Sequence, residues 1–86
     1  MPIDLEKAQI MFKLARKNNW NACYDKLEHF KRFQNLKEAI KELSNMNWII
    51  IHKKPNFTGI SLNTGYKKEI VYFIEKHLPH LKGYVM

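Results

Sequence analysis

The sequence predicts a mainly helical domain with one small β-hairpin, an α+β chain. Three observations carry this. Apolar residues recur at helical spacing in four separate segments. One stretch, NWIIIHKKPNFTGISLN (residues 47–63), departs from that spacing. It runs apolar from Trp48 to Ile51, turns basic at His52-Lys53-Lys54, bends at Pro55-Asn56 and returns as the alternation Ile60-Ser61-Leu62, which is a hairpin pattern. Finally, 86 residues at 45% hydrophobic composition suffice for one core and not for two, so residues 1–86 are read as a single domain.

The first helix is expected over residues 5–17. Asp4 stands at its N-cap and Glu6 in its first turn, where a negative charge faces the positive end of the helix dipole. Leu5, Ala8, Met11, Phe12 and Ala15 form its apolar face, and Asn18-Asn19 end it. The stretch WNACY (residues 20–24) reads equally as a short extended piece or as a loop anchored by Trp20 and Tyr24. A short second helix is expected over 26–33, because Asp25 followed by Glu28 looks like a capping box, with Leu27, Phe30 and Phe33 facing inward. After Gln34-Asn35, with Asn35 as cap and Glu38 at the third position, the third helix takes residues 36–46. Its stripe is Leu36, Ala39, Ile40, Leu43 and Met46. Strands follow at 48–53 and 59–63. Asn63 caps a last helix over 64–78, Pro79 stops it, and 79–86 form a short, partly apolar tail.

Charge narrows the function. Fifteen Lys and Arg against eight Asp and Glu leave +7, and the sequence pI is near 9.6. So basic a short chain favours a polyanionic partner, nucleic acid first; the plainer use of the charge is solubility. Cys23 is the lone cysteine, so no intrachain disulfide forms; a reducing, intracellular, cytoplasmic setting is expected, with Cys23 as a small buried apolar residue. No apolar run approaches the ~20 residues of a membrane span, and the first residues lack a signal-peptide layout. Cys23, His29, His52, His77 and His80 are scattered, and His77 and His80 straddle Pro79, so no metal is expected. With only three glycines there is no phosphate-cradling loop, and the acids alternate with lysines instead of pairing. The expectation is therefore no enzyme, no cofactor and no small-molecule ligand.

The order helix, helix, turn, helix, hairpin resembles the winged-helix (winged helix-turn-helix) family of DNA-binding domains. The residues that carry the resemblance are DKLEHFKRFQNLKEAIKELSNMNWIIIHKKPNFTGISLN (residues 25–63). The chain looks most like small archaeal-type regulators with one extra C-terminal helix; the family core spans residues 5–63 and helix 64–78 is the addition. The resemblance implies a sequence-selective, double-stranded DNA-binding protein that regulates transcription by occupying a site. The third helix would enter the major groove, presenting Gln34, Asn35, Lys37, Glu38, Lys41 and Asn45 to base edges and phosphates. Lys31 and Arg32 would lie near the backbone, as would the wing residues His52, Lys53, Lys54 and Asn56, with Pro55 stiffening the tip. Two alternatives stand beside it. Acidic Glu38 and Glu42 on the reading helix suit a protein-interaction module, and Phe57 or Tyr84 could stack unpaired bases of RNA.

On the last helix Tyr66, Ile70, Phe73, Ile74 and His77 share one side. Val71 and Leu78 widen the apolar arc to roughly 160°, beyond the ~100° that one buried face requires. Either the tail residues Leu81, Tyr84 and Val85 cover the surplus, or a second subunit does. A homodimer through Val71, Ile74 and Leu78 is expected, which would place two reading helices about one DNA turn apart.

Overall fold

The structure, a computed structural model, describes residues 3–81. In chain order it contains helix α1 (Ile3–Arg16), strand β1 (Asp25–Lys26), a 3-10 turn (Leu27–Phe30), helix α2 (Leu36–Asn45), strands β2 (Ile49–Lys53) and β3 (Thr58–Leu62), a 3-10 turn (Thr64–Tyr66), helix α3 (Lys67–His77) and a last 3-10 turn (Pro79–Leu81). The architecture is α+β: α-helices packed on a three-stranded antiparallel sheet ordered β1-β3-β2.

Asparagine ends both of the first two helices. After α1, Asn18 adopts φ 57°, and the N–H groups of Asn18 and Asn19 donate to the carbonyls of Ala15 and Leu14. After α2, Asn47 adopts φ 62°, and Asn47 and Trp48 donate to Ser44 and Leu43 in the same way. Each is a Schellman ending, with Asn in the left-handed position that glycine more often takes. The second ending turns the chain straight from α2 into β2. From α1 the chain is stitched to β3: Asn21 N–H donates to the Leu62 carbonyl, Leu62 N–H to Asn19, and the buried Ser61 hydroxyl to the Asn21 carbonyl at 2.6 Å. Trp20 thus forms a bridge beside Leu62 and Tyr24 leads into β1, so the WNACY stretch is a loop tied at both ends.

The expected helix over 26–33 does not form. Asp25 and Lys26 pair with Ile60 and Gly59 as β1, and only Leu27–Phe30 coil, as a single 3-10 turn. The capping box fails because Asp25 is spent elsewhere. Its carboxylate accepts from His29 Nδ1 (2.6 Å), Lys17 Nζ (3.2 Å) and Lys26 N–H (2.9 Å). Cys23, expected to be buried, is exposed in the loop before β1. Asp4 lies inside α1, pairing with Lys7, instead of capping it. Burial on α1 also wraps further round than one stripe. Ile10 and Leu14 join Ala8 and Met11 in the core while Leu5, Phe12 and Ala15 are half-buried, because α1 packs against α2, α3 and β3 together.

The Asp25 cluster yields a pH prediction. Burial pushes the Asp25 carboxyl up, but the bonds from His29, Lys17 and Lys26 outweigh it and hold the group below its ordinary value of 3.8. A carboxyl depressed in the folded state contributes stability that is complete above that ordinary value and is lost as pH falls through the folded one. Asp25→Asn should therefore destabilise the domain at neutral pH and lose that penalty in acid. Denaturant unfolding at a series of pH values checks this, and parallel curves for the two proteins down to strong acid would remove Asp25 from the account.

A candidate nucleic-acid interface

Helix α2 has two distinct faces. Ala39, Ile40 and Leu43 are buried, with Leu36 partly so, as the apolar stripe predicts; Met46, assigned to the same stripe, is exposed just past the helix end. The opposite face carries Lys37, Glu38, Lys41 and Asn45, all exposed, with exposed Gln34 preceding the helix. No hydrogen bond or ion pair among the described residues engages these five side chains, so all are available to a partner.

Two other polar residues of this region are committed internally. Asn35 does not cap α2 with its own side chain. Instead its N–H and its Nδ2 donate to the two carboxylate oxygens of Glu6, at 3.2 and 2.7 Å. Asn35 is therefore a positioning residue and not a free groove contact. Glu42 accepts from the buried Lys7 ammonium. Of the two acids that argued against an anionic partner, Glu42 is neutralised by this pair and Glu38 stays on the outer face. The pairs Glu6–Asn35 and Lys7–Glu42 tie α1 to the beginning and to the last turns of α2, which fixes how α2 is presented.

The hairpin follows α2 directly in the chain. Lys54 N–H donates to the Phe57 carbonyl at 2.9 Å, closing a two-residue tip of Pro55 and Asn56. Lys53, Lys54, Pro55 and Asn56 are all exposed. Below the tip, the sheet face turned away from the helices carries an aromatic cluster. Tyr24 stacks on His52 at 4.7 Å and approaches Phe57 at 5.9 Å. Lys54 Nζ lies 5.4 Å over the Tyr24 ring and Lys26 Nζ 5.3 Å over Phe57. Gly59 makes this possible, since a Cβ there would lie 2.4 Å from Tyr24 Cδ1. The cluster stiffens the hairpin and holds Lys54 at its tip.

His52, assigned to the wing surface by sequence, lies half-buried against Tyr24 on this outer sheet face. Its Nε2 lies 3.0 Å from the Ser61 hydroxyl, which accepts from it because that hydroxyl already donates to Asn21. Phe57 is likewise half-buried and occupied by Tyr24 and Lys26. Lys31 and Arg32 are exposed in the turn before α2, with the Arg32 guanidinium 5.1 Å over Phe33. Tyr24 and Lys26 were not singled out as interface residues; the small residue at Gly59 opposite an aromatic is the signal that marks them. On α1, Lys13 donates to the His29 carbonyl (2.7 Å). Burial, then the neighbouring cations Lys17, Arg32 and Arg16, hold the Lys13 ammonium below the usual lysine range, with Asp25 opposing them.

The expected dimer surface is largely consumed by the chain's own core. Ile74 is fully buried, Leu78 nearly so and Val71 half-buried, which removes the wide apolar arc. The open face of α3 is instead Glu69, Tyr72, Phe73 and Lys76, with Trp48 packed edge-on against Phe73 at 5.5 Å. Tyr72 is 69% exposed. Leu81, expected as a cover, is half-buried, and Tyr84 and Val85 lie outside the described residues.

Among the described residues no three His, Cys, Asp or Glu side chains gather as a metal site, and no helix is long and apolar enough to cross a membrane. Comparison with protein-family models, with curated proteins and with solved structures finds no match. The functional reading rests on this chain's own geometry.

Proposed function

We propose that this chain is a double-stranded DNA-binding domain of the winged-helix type that regulates transcription, with α2 in the major groove and the β2–β3 hairpin as the wing. The observation that carries the reading is the division of labour on α2. Every polar side chain needed to orient the helix is tied to α1, while Lys37, Glu38, Lys41 and Asn45 stay unengaged on the far face. The β1-β3-β2 sheet and the stiffened basic hairpin directly after α2 support it, while a single 3-10 turn, Leu27–Phe30, stands where the family order has its second helix. Asn45 is suited to adenine, Lys41 to guanine or phosphate, and Glu38 to a cytosine amino group. Lys31, Arg32, Lys53 and Lys54 supply phosphate contacts, which position the domain without reading sequence.

Duplex titration across a salt series tests this. Each phosphate neutralised adds about 0.9 to the log–log salt slope. Lys53→Ala with Lys54→Ala should lower that slope by about two such increments and weaken binding on all duplexes equally. Lys41→Ala should instead change the selected sequence. Salt-independent binding, or a preference for structured RNA at matched salt, would overturn the reading.

The partner extends to a second copy of the chain. Glu69, Tyr72, Phe73 and Lys76 occupy positions i, i+3, i+4 and i+7 of α3, a stripe that is complementary to itself when reversed. A two-fold axis between Tyr72 and Phe73 sets Glu69 against Lys76 of the second copy, twice, around an aromatic centre. The wild-type chain should sediment near twice 10.4 kDa at micromolar concentration. Lys76→Glu should give a monomer, and adding Glu69→Lys should restore the dimer; a double variant that stays monomeric would discard this pairing.

A further inference from the structure

Of fifteen basic residues only Arg16 and Arg32 are arginine, and both line one open cleft of about 910 Å³. The cleft lies between α1, the turn preceding α2 and the Pro79–Leu81 turn, so its walls come from three separate parts of the chain. Its apolar surface is Phe12, Phe33, Leu78 and Leu81. The Arg16 guanidinium lies 5.9 Å over Phe12 and that of Arg32 lies 5.1 Å over Phe33, so each arginine rests on one aromatic wall. Neither has a carboxylate partner among the described residues. The one acid at the cleft, Glu6, has both oxygens occupied by Asn35.

We propose that this cleft binds a small amphipathic anion, a carboxylate or phosphate monoester on an aromatic or acyl body. Guanidinium forks match either head in a bidentate way, which an ammonium does not. The walls take an apolar body, and the volume falls in the range of small-molecule sites. A nucleic-acid backbone fits poorly, because its successive phosphates would be pressed against phenylalanine and leucine. The cations crowded around Lys13, on the same wall, gain a counter-charge when the anion enters. The cleft shares Arg32 with the phosphate contacts proposed above, and Gln34 on its rim directly precedes Asn35 and α2, so its ligand is tested with no DNA present.

The test is an NMR titration of the intact chain, with no DNA present, using octanoate, octyl phosphate, octanol and inorganic phosphate. At least one of octanoate and octyl phosphate should give saturable shifts at Phe12, Phe33, Leu78 and Leu81, and their relative affinity identifies the preferred head. Octanol and inorganic phosphate should each bind about tenfold more weakly or worse, since each lacks one half of the recognition. Arg16→Gln with Arg32→Gln should weaken the amphipathic anion about tenfold or more. Both positions are exposed, so the thermal midpoint should hold. Octanol binding as well as octanoate, inorganic phosphate binding as well as octyl phosphate, an unaltered affinity in the double variant, or no saturable shift would each overturn the proposal.

Discussion

Phe30→Ala is expected to remove about 3–5 kcal/mol of folding stability, the largest loss from any single substitution considered. Phe30 is fully buried and is the anchor of the Leu27–Phe30 turn. Its ring stacks near Phe33 at 6.4 Å, and the Lys13 ammonium lies 4.6 Å above it. A single 3-10 turn has almost no hydrogen-bond ladder of its own, so the side chain, not the backbone, holds this segment against β3. Removing it leaves a cavity the size of a phenyl ring and frees the turn that leads to Arg32, Phe33 and the start of α2. A domain of this length has about 4–13 kcal/mol in all, so the loss consumes a large share. Urea unfolding followed by tryptophan fluorescence gives the number. Phe30→Leu should cost distinctly less, because most of the volume is retained; equal losses for Leu and Ala would mean the ring is not packed as described.

The legible and the illegible parts of this fold divide by the range of the interactions that decide them. The inward face of α2, the Asn18 and Asn63 boundaries, the hairpin and the stop at Pro79 are all set within a few residues. Asn63, for example, accepts from Gly65 N–H in the role its position suggests. The errors lie where distant residues intervene. The segment after Asp25 carries helical spacing, yet Ile60 and Gly59, more than thirty positions away, recruit it into the sheet. Asn35 looks like a cap, yet Glu6 reaches it from 29 residues upstream. His52 lies in a basic run, but Ser61 across the hairpin and Tyr24, just ahead of β1, hold it down on the sheet. The same reasoning separates the sites. The outer face of α2 was readable because it is the complement of a local stripe. The arginine cleft was not, since Phe12, Arg32 and Leu81 belong to three segments that only the tertiary fold brings together.

Glu6→Ala is expected to cost about 2–4 kcal/mol and, for the DNA-binding function proposed above, to loosen sequence reading more than overall affinity. The first N–H groups of any helix lack partners within it, and the dipole there favours a negative charge. Here α1 supplies that charge from outside. Glu6 is 2% exposed, and its carboxylate takes both the backbone N–H and the side-chain amide of Asn35, the residue before Leu36. Two bonds to a charged acceptor contribute about 1.5–3 kcal/mol each, reduced by the cost of keeping a carboxylate buried. Alanine removes the acceptor, leaves Asn35 N–H unsatisfied and detaches the leading end of α2 from α1, while Lys7 still holds Glu42 in its last turns. The helix then pivots about its far end. Misplacement is greatest at Gln34 and Lys37, in the leading turn, and least at Asn45. Lys53 and Lys54 lie on the hairpin and are untouched, so binding to arbitrary duplex should change little. Binding to the selected sequence should fall by about 1–3 kcal/mol, the worth of one bidentate base contact. Glu6→Gln keeps one acceptor oxygen and should fall between the two. Equal losses on specific and arbitrary duplex would show that Glu6 supports the fold alone and that α2 does not depend on it for its aim.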